Sequence, residues 1–226
     1  MLCVAAHPDD EVLGCGATLA RLSDMGCDVH VLVMGEGIGA RYDANKRPNE
    51  QVGELADDML DAARILGATP HQFTLPDQRF ETIPVLEVVK LIESVKAEVQ
   101  PDLVFTHHPG DLNTDHRVVA NAVLTAFRPL PDENTVTILA FETLSSTEWN
   151  VTANSVPFVP NWYEDALPGL ERKLQAMAAY SGELREFPHP RSLSGIETLA
   201  QLRGMTVGIQ YAEAFMLLRH LGSLSE

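Results

Sequence analysis

Cysteine is scarce in this chain, with only Cys3, Cys15 and Cys27 among 226 residues. The number is odd and no CxxC spacing occurs, so there is no disulfide framework to read and buried, reduced thiols are expected. Positive charge is scarce as well: Lys+Arg total 16 against 32 Asp+Glu, a formal net charge of −16. Such a balance argues against broad binding of nucleic acid, whose phosphates need a basic field, and it repels anionic membranes. No apolar run approaches the roughly 18–20 residues that cross a bilayer. Residues 1–6 are too short for a signal peptide, lack a basic flank, and run directly into His7-Pro8-Asp9-Asp10-Glu11. The expected location is the cytoplasm. Repeats, low-complexity segments and linkers are missing too, which leaves one domain over residues 1–226.

What is present is ordinary globular material, 45% hydrophobic and 21% charged. A chain of this length buries about 70–75% of its unfolded surface, so it needs neither disulfide nor metal merely to fold. Short apolar runs at 2–6, 29–34, 71–75, 103–106 and 135–141 predict strands buried on both faces. Helix-period segments lie between them. Val52, Leu55, Ala56, Met59, Leu60, Ala63 and Leu66 form one amphipathic stripe closed by Gly67, and Pro84 opens another at a first helical turn. This order predicts an α/β, Rossmann-like, mostly parallel sheet with helices on both faces. Residues 143–168 read as loop. Segments 169–180, 196–203 and 212–221 read as helices, a helical C-terminal extension from about residue 167. Ligands of such sheets sit beyond the carboxyl ends of the strands. That rule singles out residues 7–11, 35–47, 75–80 and 107–116.

Two of these loops are dense in His and Asp. In His7-Pro8-Asp9-Asp10-Glu11, proline favours an extended His7 followed by a turn. If the next residues enter a helix, His7 and Asp10 stand three apart on one side and can share a metal, leaving Asp9 free beside it. If the strand continues, His7 and Asp9 share a face instead. The second loop is His107-His108-Pro109-Gly110-Asp111-Leu112-Asn113-Thr114-Asp115-His116. Its Asp-x-Asn-x-Asp start resembles a calcium loop, but His116 and Ala122 stand where Gly and Glu are required. Two nitrogen donors and a carboxylate suit Zn²⁺, and three protein ligands leave a position for water, as catalytic zinc requires.

Ala6-His7-Pro8-Asp9-Asp10-Glu11 together with Asp115-His116 resembles the PIG-L/LmbE-like zinc-dependent N-acetylglucosaminyl deacetylases. The likeness covers the α/β body to about residue 142 and returns weakly in Ala212-Glu213-Ala214-Phe215. It implies a hydrolase that removes N-acetyl groups from amino sugars. It also implies one Zn²⁺ per chain on His7, Asp10 and His116, with Asp9 as the general base for the water that the metal activates. Asp115 would orient a histidine. Asn113-Thr114-Asp115-His116 departs from the family's His-Pro-Asp-His, whose first histidine is held to stabilise the oxyanion. That task falls either to the metal with Asn113 or to His107 or His108.

For substrate contacts, the resemblance points to Arg41, which forms a small cationic group with Lys46 and Arg47; a solvated loop is the competing reading. Asp77 suits sugar hydroxyls, and a plain turn suits it equally. Trp149 and His189-Pro190-Arg191-Ser192 reach toward the rim only if packing and loop shape are not their whole role. His30, His71 and His220 read as structural. The expected partner is a small N-acylated sugar, without nucleic acid or membrane, and homo-oligomer formation stays open. Two alternatives remain: a zinc amidohydrolase of a non-sugar amide, and a non-catalytic nucleotide-binding module built on Gly14-x-Gly16.

Overall fold

Leu2, Cys3, Val4 and Ala5 are all fully buried and form β1 (Leu2–Ala5), an inner strand of a seven-stranded sheet. The computed structural model describes residues 1–39, 49–131, 133–151 and 156–222, with backbone only for 49–52. Arg41, Lys46 and Arg47 therefore lie outside the described residues, as does the Val52 side chain.

The elements follow in the order β1, α1 (Asp10–Asp24), β2 (His30–Gly35), α2 (Asn49–Leu66), β3 (Thr69–Leu75) and α3 (Val85–Val99). Next come β4 (Leu103–His107), α4 (Thr114–Ala126), β5 (Thr137–Phe141), β6 (Trp162–Asp165), α5 (Leu170–Ala179), α6 (Leu193–Val207) and β7 (Ala212–Arg219). The sheet order is β3-β2-β1-β4-β5-β7-β6; the first five strands are parallel, and β7 and β6 add an antiparallel edge.

Alternation along the strands divides the core in two. Cys3, Ala5, Val31, Val33, Phe105 and Leu139 face a cluster with Leu13, Leu19, Met59 and Met177 of α1, α2 and α5. Leu2, Val4, Leu32, Val104 and Ile138 face Val88, Ile92, Val119 and Val123 of α3 and α4. Covered on both faces, β1, β2, β4 and β5 are largely apolar rather than alternating with polar residues, whereas the edge strand β3 is only partly buried. Connections leave β1 toward β2 on one side and return at β4 on the other. Ligands of open α/β sheets collect at this switch point.

Two expectations are corrected. Residues 212–221 do not form a helix, because Ala212–Arg219 is β7, hydrogen-bonded between β5 and β6. A short run apolar on both faces reads alike as strand and as buried helix, and here pairing decides. Residues 143–168 contain a strand, β6, and a 3₁₀ turn at Thr147–Trp149. Of the cysteines, Cys3 and Cys15 are buried with Sγ atoms 3.5 Å apart, whereas Cys27 is exposed.

Helix α1 is broken at Cys15 (φ −146°, ψ 19°). A buried ion pair satisfies the break: Glu213 accepts the Ala17 and Thr18 N–H groups at 3.0 and 2.7 Å, and Lys173 donates to Leu13 O at 2.9 Å. Lys173 Nζ and Glu213 Oε1 are 2.6 Å apart. Gly14 belongs to the same device. A Cβ there would stand 2.3 Å from Phe141 Cδ2, so glycine lets α1 close on the end of β5. Gly14 and Gly16 pack against Phe141 and Lys173 inside the helix and make no phosphate-binding turn, which removes the nucleotide-module reading.

Candidate metal centre and active site

The chain turns as soon as β1 ends. Asp10 N–H donates to His7 O at 3.3 Å, and Asp10 Oδ2 accepts the His7 N–H at 2.9 Å. Of the two geometries open to this loop, the structure shows the helical one. His7 Nδ1 then lies 3.4 Å from Asp10 Oδ2. β4 delivers the second loop alongside, and the first turn of α4 places His116 Nε2 3.3 Å from the same oxygen. One ligand atom from each of His7, Asp10 and His116 fits within a mutual 4.8 Å.

The site's second nitrogens are spoken for by carboxylates. His7 Nε2 sits 3.0 Å from Asp115 Oδ2, and His116 Nδ1 sits 3.1 Å from Asp111 Oδ1. Asp115 also accepts the Gln78 and Phe80 N–H groups at 2.7 and 3.0 Å, tying the turn after β3 to the site. Asp111 accepts the hydroxyls of Ser146 and Thr147 and the Asn113 N–H. Carboxylates behind ligating imidazoles fix ring orientation and raise donor strength. Asp115 therefore faces His7, not its neighbour His116, and Asp111 takes the place beside His116 that spacing did not reveal.

Asp10 Oδ1 and both His116 ring nitrogens are buried without a well-formed hydrogen bond, although carboxylate oxygens lie near the nitrogens, a costly arrangement unless another group satisfies them. Two imidazole nitrogens and a carboxylate oxygen aimed at one point fit a divalent cation, Zn²⁺ above all. His7, Asp77 and Asp115 also approach within 4.8 Å. Asp115 is already engaged by three donors there, so that grouping reads as support for His7.

Burial alone would lower the His7 pKa; hydrogen bonds donated to Asp10 and Asp115, with the charges of Asp10 and Asp77, overcome it and raise it to about 10. Burial is likewise outweighed at His116, where Asp10 and Asp111 raise the pKa to about 9. Burial opposes ionisation of Asp10, yet the His116 charge holds its carboxyl well below the usual range. Protons thus stand where a cation would, and metal uptake must displace them.

Asp9 adopts φ 99°, a left-handed conformation costly for a non-glycine residue and typical of functional sites. It precedes α1 yet makes no side-chain cap. Its carboxylate instead accepts from Arg191 Nη1 at 2.8 Å. Burial raises its pKa, against the pull of Arg191, as suits a group that accepts protons near neutrality. Glu11 braces it from below, accepting the Asp9 N–H at 3.1 Å and the Tyr180 hydroxyl at 2.6 Å, and burial lifts the Glu11 pKa to about 7.

A cleft of about 150 Å³ opens onto this group, lined by His7, Asp9, Asp77, Asn113, Glu183 and Arg191 among others. A larger hollow of about 530 Å³ lies near Pro101 and Val136, before β4 and β5 and so at the opposite end of the sheet. Among the described residues it is lined by no histidine or aspartate, and the smaller cleft is the chemical one. Asp77 Oδ1 stands 3.2 Å from His7 Nε2. Asn113 caps α4, its Oδ1 accepting the Asp115 N–H at 2.9 Å.

Neither His107 nor His108 supplies a cation to the cleft. His107 Nε2 accepts the Ala6 N–H at 2.9 Å, and the ring stacks on His116 at 3.9 Å. Burial, then the His116 charge, lowers its pKa to about 3. His108 Nε2 bonds Val156 O at 2.8 Å and does not line the cleft. Of the two readings of His189-Pro190-Arg191-Ser192, loop shape alone or approach to the rim, Arg191 takes the second and reaches the site. Trp149 packs edge-on to His189 at 5.9 Å and does not line the cleft.

The sequence profile of the PIG-L family, described as GlcNAc-PI de-N-acetylase, matches residues 2–127. The chain belongs to the PIG-L family. The matched span runs from β1 to the end of α4 and contains both His/Asp loops. A PIG-L relative from Thermococcus kodakarensis, a diacetylchitobiose deacetylase, is 26% identical over 94% of this chain and 80% of its own length. The uncharacterized deacetylase YaiS of Escherichia coli is 30% identical over 65% of this chain and 75% of its own length. The structure of the N,N'-diacetylchitobiose deacetylase of Pyrococcus horikoshii shares the fold with a TM-score of 0.78, at 24% identity over 96% of this chain and 82% of that one. Among the described residues no helix is long and apolar enough to cross a membrane.

Proposed function

We propose that this PIG-L member is a metal-dependent hydrolase that removes an N-acetyl or other short N-acyl group from an amino sugar or sugar conjugate. The observation that carries this reading is the convergence of His7, Asp10 and His116 beside the cleft that exposes Asp9. The names of the relatives, both deacetylases and one acting on diacetylchitobiose, support the reaction and the substrate class. The same donors would serve a non-sugar amide, which a substrate panel separates. The chain is read as one domain working in the cytoplasm, where reduced Cys3 and Cys15 are at home.

In this reading His7, Asp10 and His116 hold one Zn²⁺ per chain. Such an ion lowers the pKa of a water toward about 7 and polarises an acyl oxygen. Asp115 and Asp111 keep the two imidazoles in the tautomer that leaves a bare nitrogen facing Asp10. Asp9 takes a proton from the attacking water and returns it to the leaving nitrogen as the C–N bond breaks, giving a carboxylic acid and a free amine. Arg191 holds the Asp9 carboxylate in place during both transfers. Asp77 meets sugar hydroxyls at the cleft wall, and Arg41 is assigned the same task. Asn113 spends Oδ1 on its helix and keeps Nδ2 for the substrate.

Amine release from N-acetylglucosamine, diacetylchitobiose and non-sugar acetamides tests this, comparing zinc-loaded with chelated protein. Asp9→Asn should retain zinc and lose at least about 10²-fold in kcat. Full turnover in that variant removes Asp9 from the role of base.

A further inference from the structure

Arg191 comes from the segment between α5 and α6, and neither His/Asp loop includes it. Its guanidinium is clamped at several points. Nη1 donates to Asp9 Oδ2 at 2.8 Å and lies 3.4 Å from Glu183 Oε2, while Nε donates to Ser145 Oγ at 2.8 Å. The anchors are themselves fixed: the Ser145 N–H donates to Glu148 Oε1 at 2.6 Å, and His189 Nδ1 accepts the Arg191 N–H at 3.1 Å. Nη2 makes no hydrogen bond to any described residue. Arg191 is also the one permanently charged cation among the described residues lining the cleft.

Hydrolysis of an amide places negative charge on the acyl oxygen, and a donor already aimed at that position stabilises the transition state more than the ground state. In the proposed reading a metal would polarise that oxygen, and few side chains are placed to assist it. His107 spends Nε2 on the Ala6 N–H and, like His108, does not line the cleft, and Asn113 carries no charge. The water that attacks must lie against Asp9 to lose its proton, so the acyl carbon and its oxygen lie within reach of whatever bridges Asp9. Both terminal nitrogens of a guanidinium share one plane. The one bonded to Asp9 leaves its neighbour beside the atoms that Asp9 serves.

We propose that Arg191 is a catalytic residue: Nη1 fixes the Asp9 carboxylate, and Nη2 donates to the acyl oxygen as it becomes an anion. The carbonyl pair moves onto that oxygen as the water–carbon bond forms, and Asp9 takes the water proton. Arg191 keeps all its protons throughout. On collapse the pair returns, the C–N bond breaks, and the nitrogen leaves with the proton from Asp9. This rests on the deacetylase reading.

The probe is methylphosphonate, a tetrahedral anion shaped like a hydrated acetyl group. Titrated calorimetrically into zinc-loaded protein, it should bind wild type and bind Arg191→Ala at least about tenfold more weakly, with Arg191→Lys between them. On a substrate that wild type hydrolyses, Arg191→Ala should lose about 10²–10³-fold in kcat with KM within about threefold. Added guanidinium should restore part of that loss where methylammonium at equal concentration does not. Arg191→Gln replaces the alanine variant if its melting temperature drops. Equal phosphonate binding by wild type and variant, no binding by either, or variant kcat within about threefold of wild type overturns the assignment. If wild type releases no amine from any sugar, the deacetylase reading fails while the phosphonate comparison still decides whether Arg191 meets a tetrahedral anion.

Discussion

Truncating Glu213 to alanine should be among the most damaging single changes outside the metal ligands. Its carboxylate accepts the Ala17 and Thr18 N–H groups and pairs with Lys173, and both charged side chains are at most 5% exposed. The variant would leave a buried ammonium with only Leu13 O and two amides without acceptors at the break in α1. Breaking a buried pair costs about 3–5 kcal/mol. Each orphaned amide adds about 1–3 kcal/mol, and because all three terms share one carboxylate they overlap to about 5 kcal/mol in total. At about 2–4 °C per kcal/mol for a chain of this size, the melting temperature should fall by about 10–20 °C. Thermal unfolding of the metal-free protein reads this directly. Replacing Lys173 and Glu213 together by Met and Leu should recover the charge penalty but not the capping of Ala17 and Thr18. Zinc affinity should weaken in the single variant as well, since the first turn of α1 carries Asp10. A fall of less than about 3 °C would refute the view that this pair holds the broken helix together.

Zinc affinity should rise with pH. In the metal-free site His7 and His116 keep their protons up to about 10 and about 9, and each must lose one to bind metal. Affinity should therefore gain about tenfold per pH unit for each proton released, up to about a hundredfold for two, and level off above pH 9–10. The metal-free fold shows the opposite trend. These raised pKa values contribute stability that is complete below the ordinary histidine value and is lost as pH rises through 9 to 10. Chelator competition at pH 6, 7 and 8 checks the first part, and affinity independent of pH would contradict it. Asp111→Ala should lower zinc affinity about 10–100-fold by releasing His116, measured by the same competition, and an unchanged value would show that Asp111 does not orient the ring.

Strands β1, β2, β4 and β5 were legible because burial on both faces leaves a mainly apolar run, while His7, Asp10 and His116 were expected together from the family motif, and the structure brings them within reach of one another. The limits lie with contacts that cross the chain. β7 looked helical because Ala212–Arg219 is apolar toward both layers, and only its pairing with β5 and β6 separates the two states. Asp111 stood in plain view within an Asp-x-Asn-x-Asp run, but nothing local says that it faces His116 or that Ser146 and Thr147 satisfy it. Glu213 meets α1 across 196 positions and Arg191 meets Asp9 across 182, separations at which periodicity carries no signal. Asp9 precedes α1 without capping it, and neither its left-handed backbone nor its pairing with Arg191 leaves a local sequence signal.

Anomalous diffraction at the zinc edge, from crystals loaded with one equivalent of zinc, tests the metal centre most directly. A single peak should lie about 2.0–2.1 Å from His7 Nδ1 and His116 Nε2 and about 2.0–2.2 Å from an Asp10 oxygen. A peak elsewhere, or none between those two imidazoles, would contradict the account.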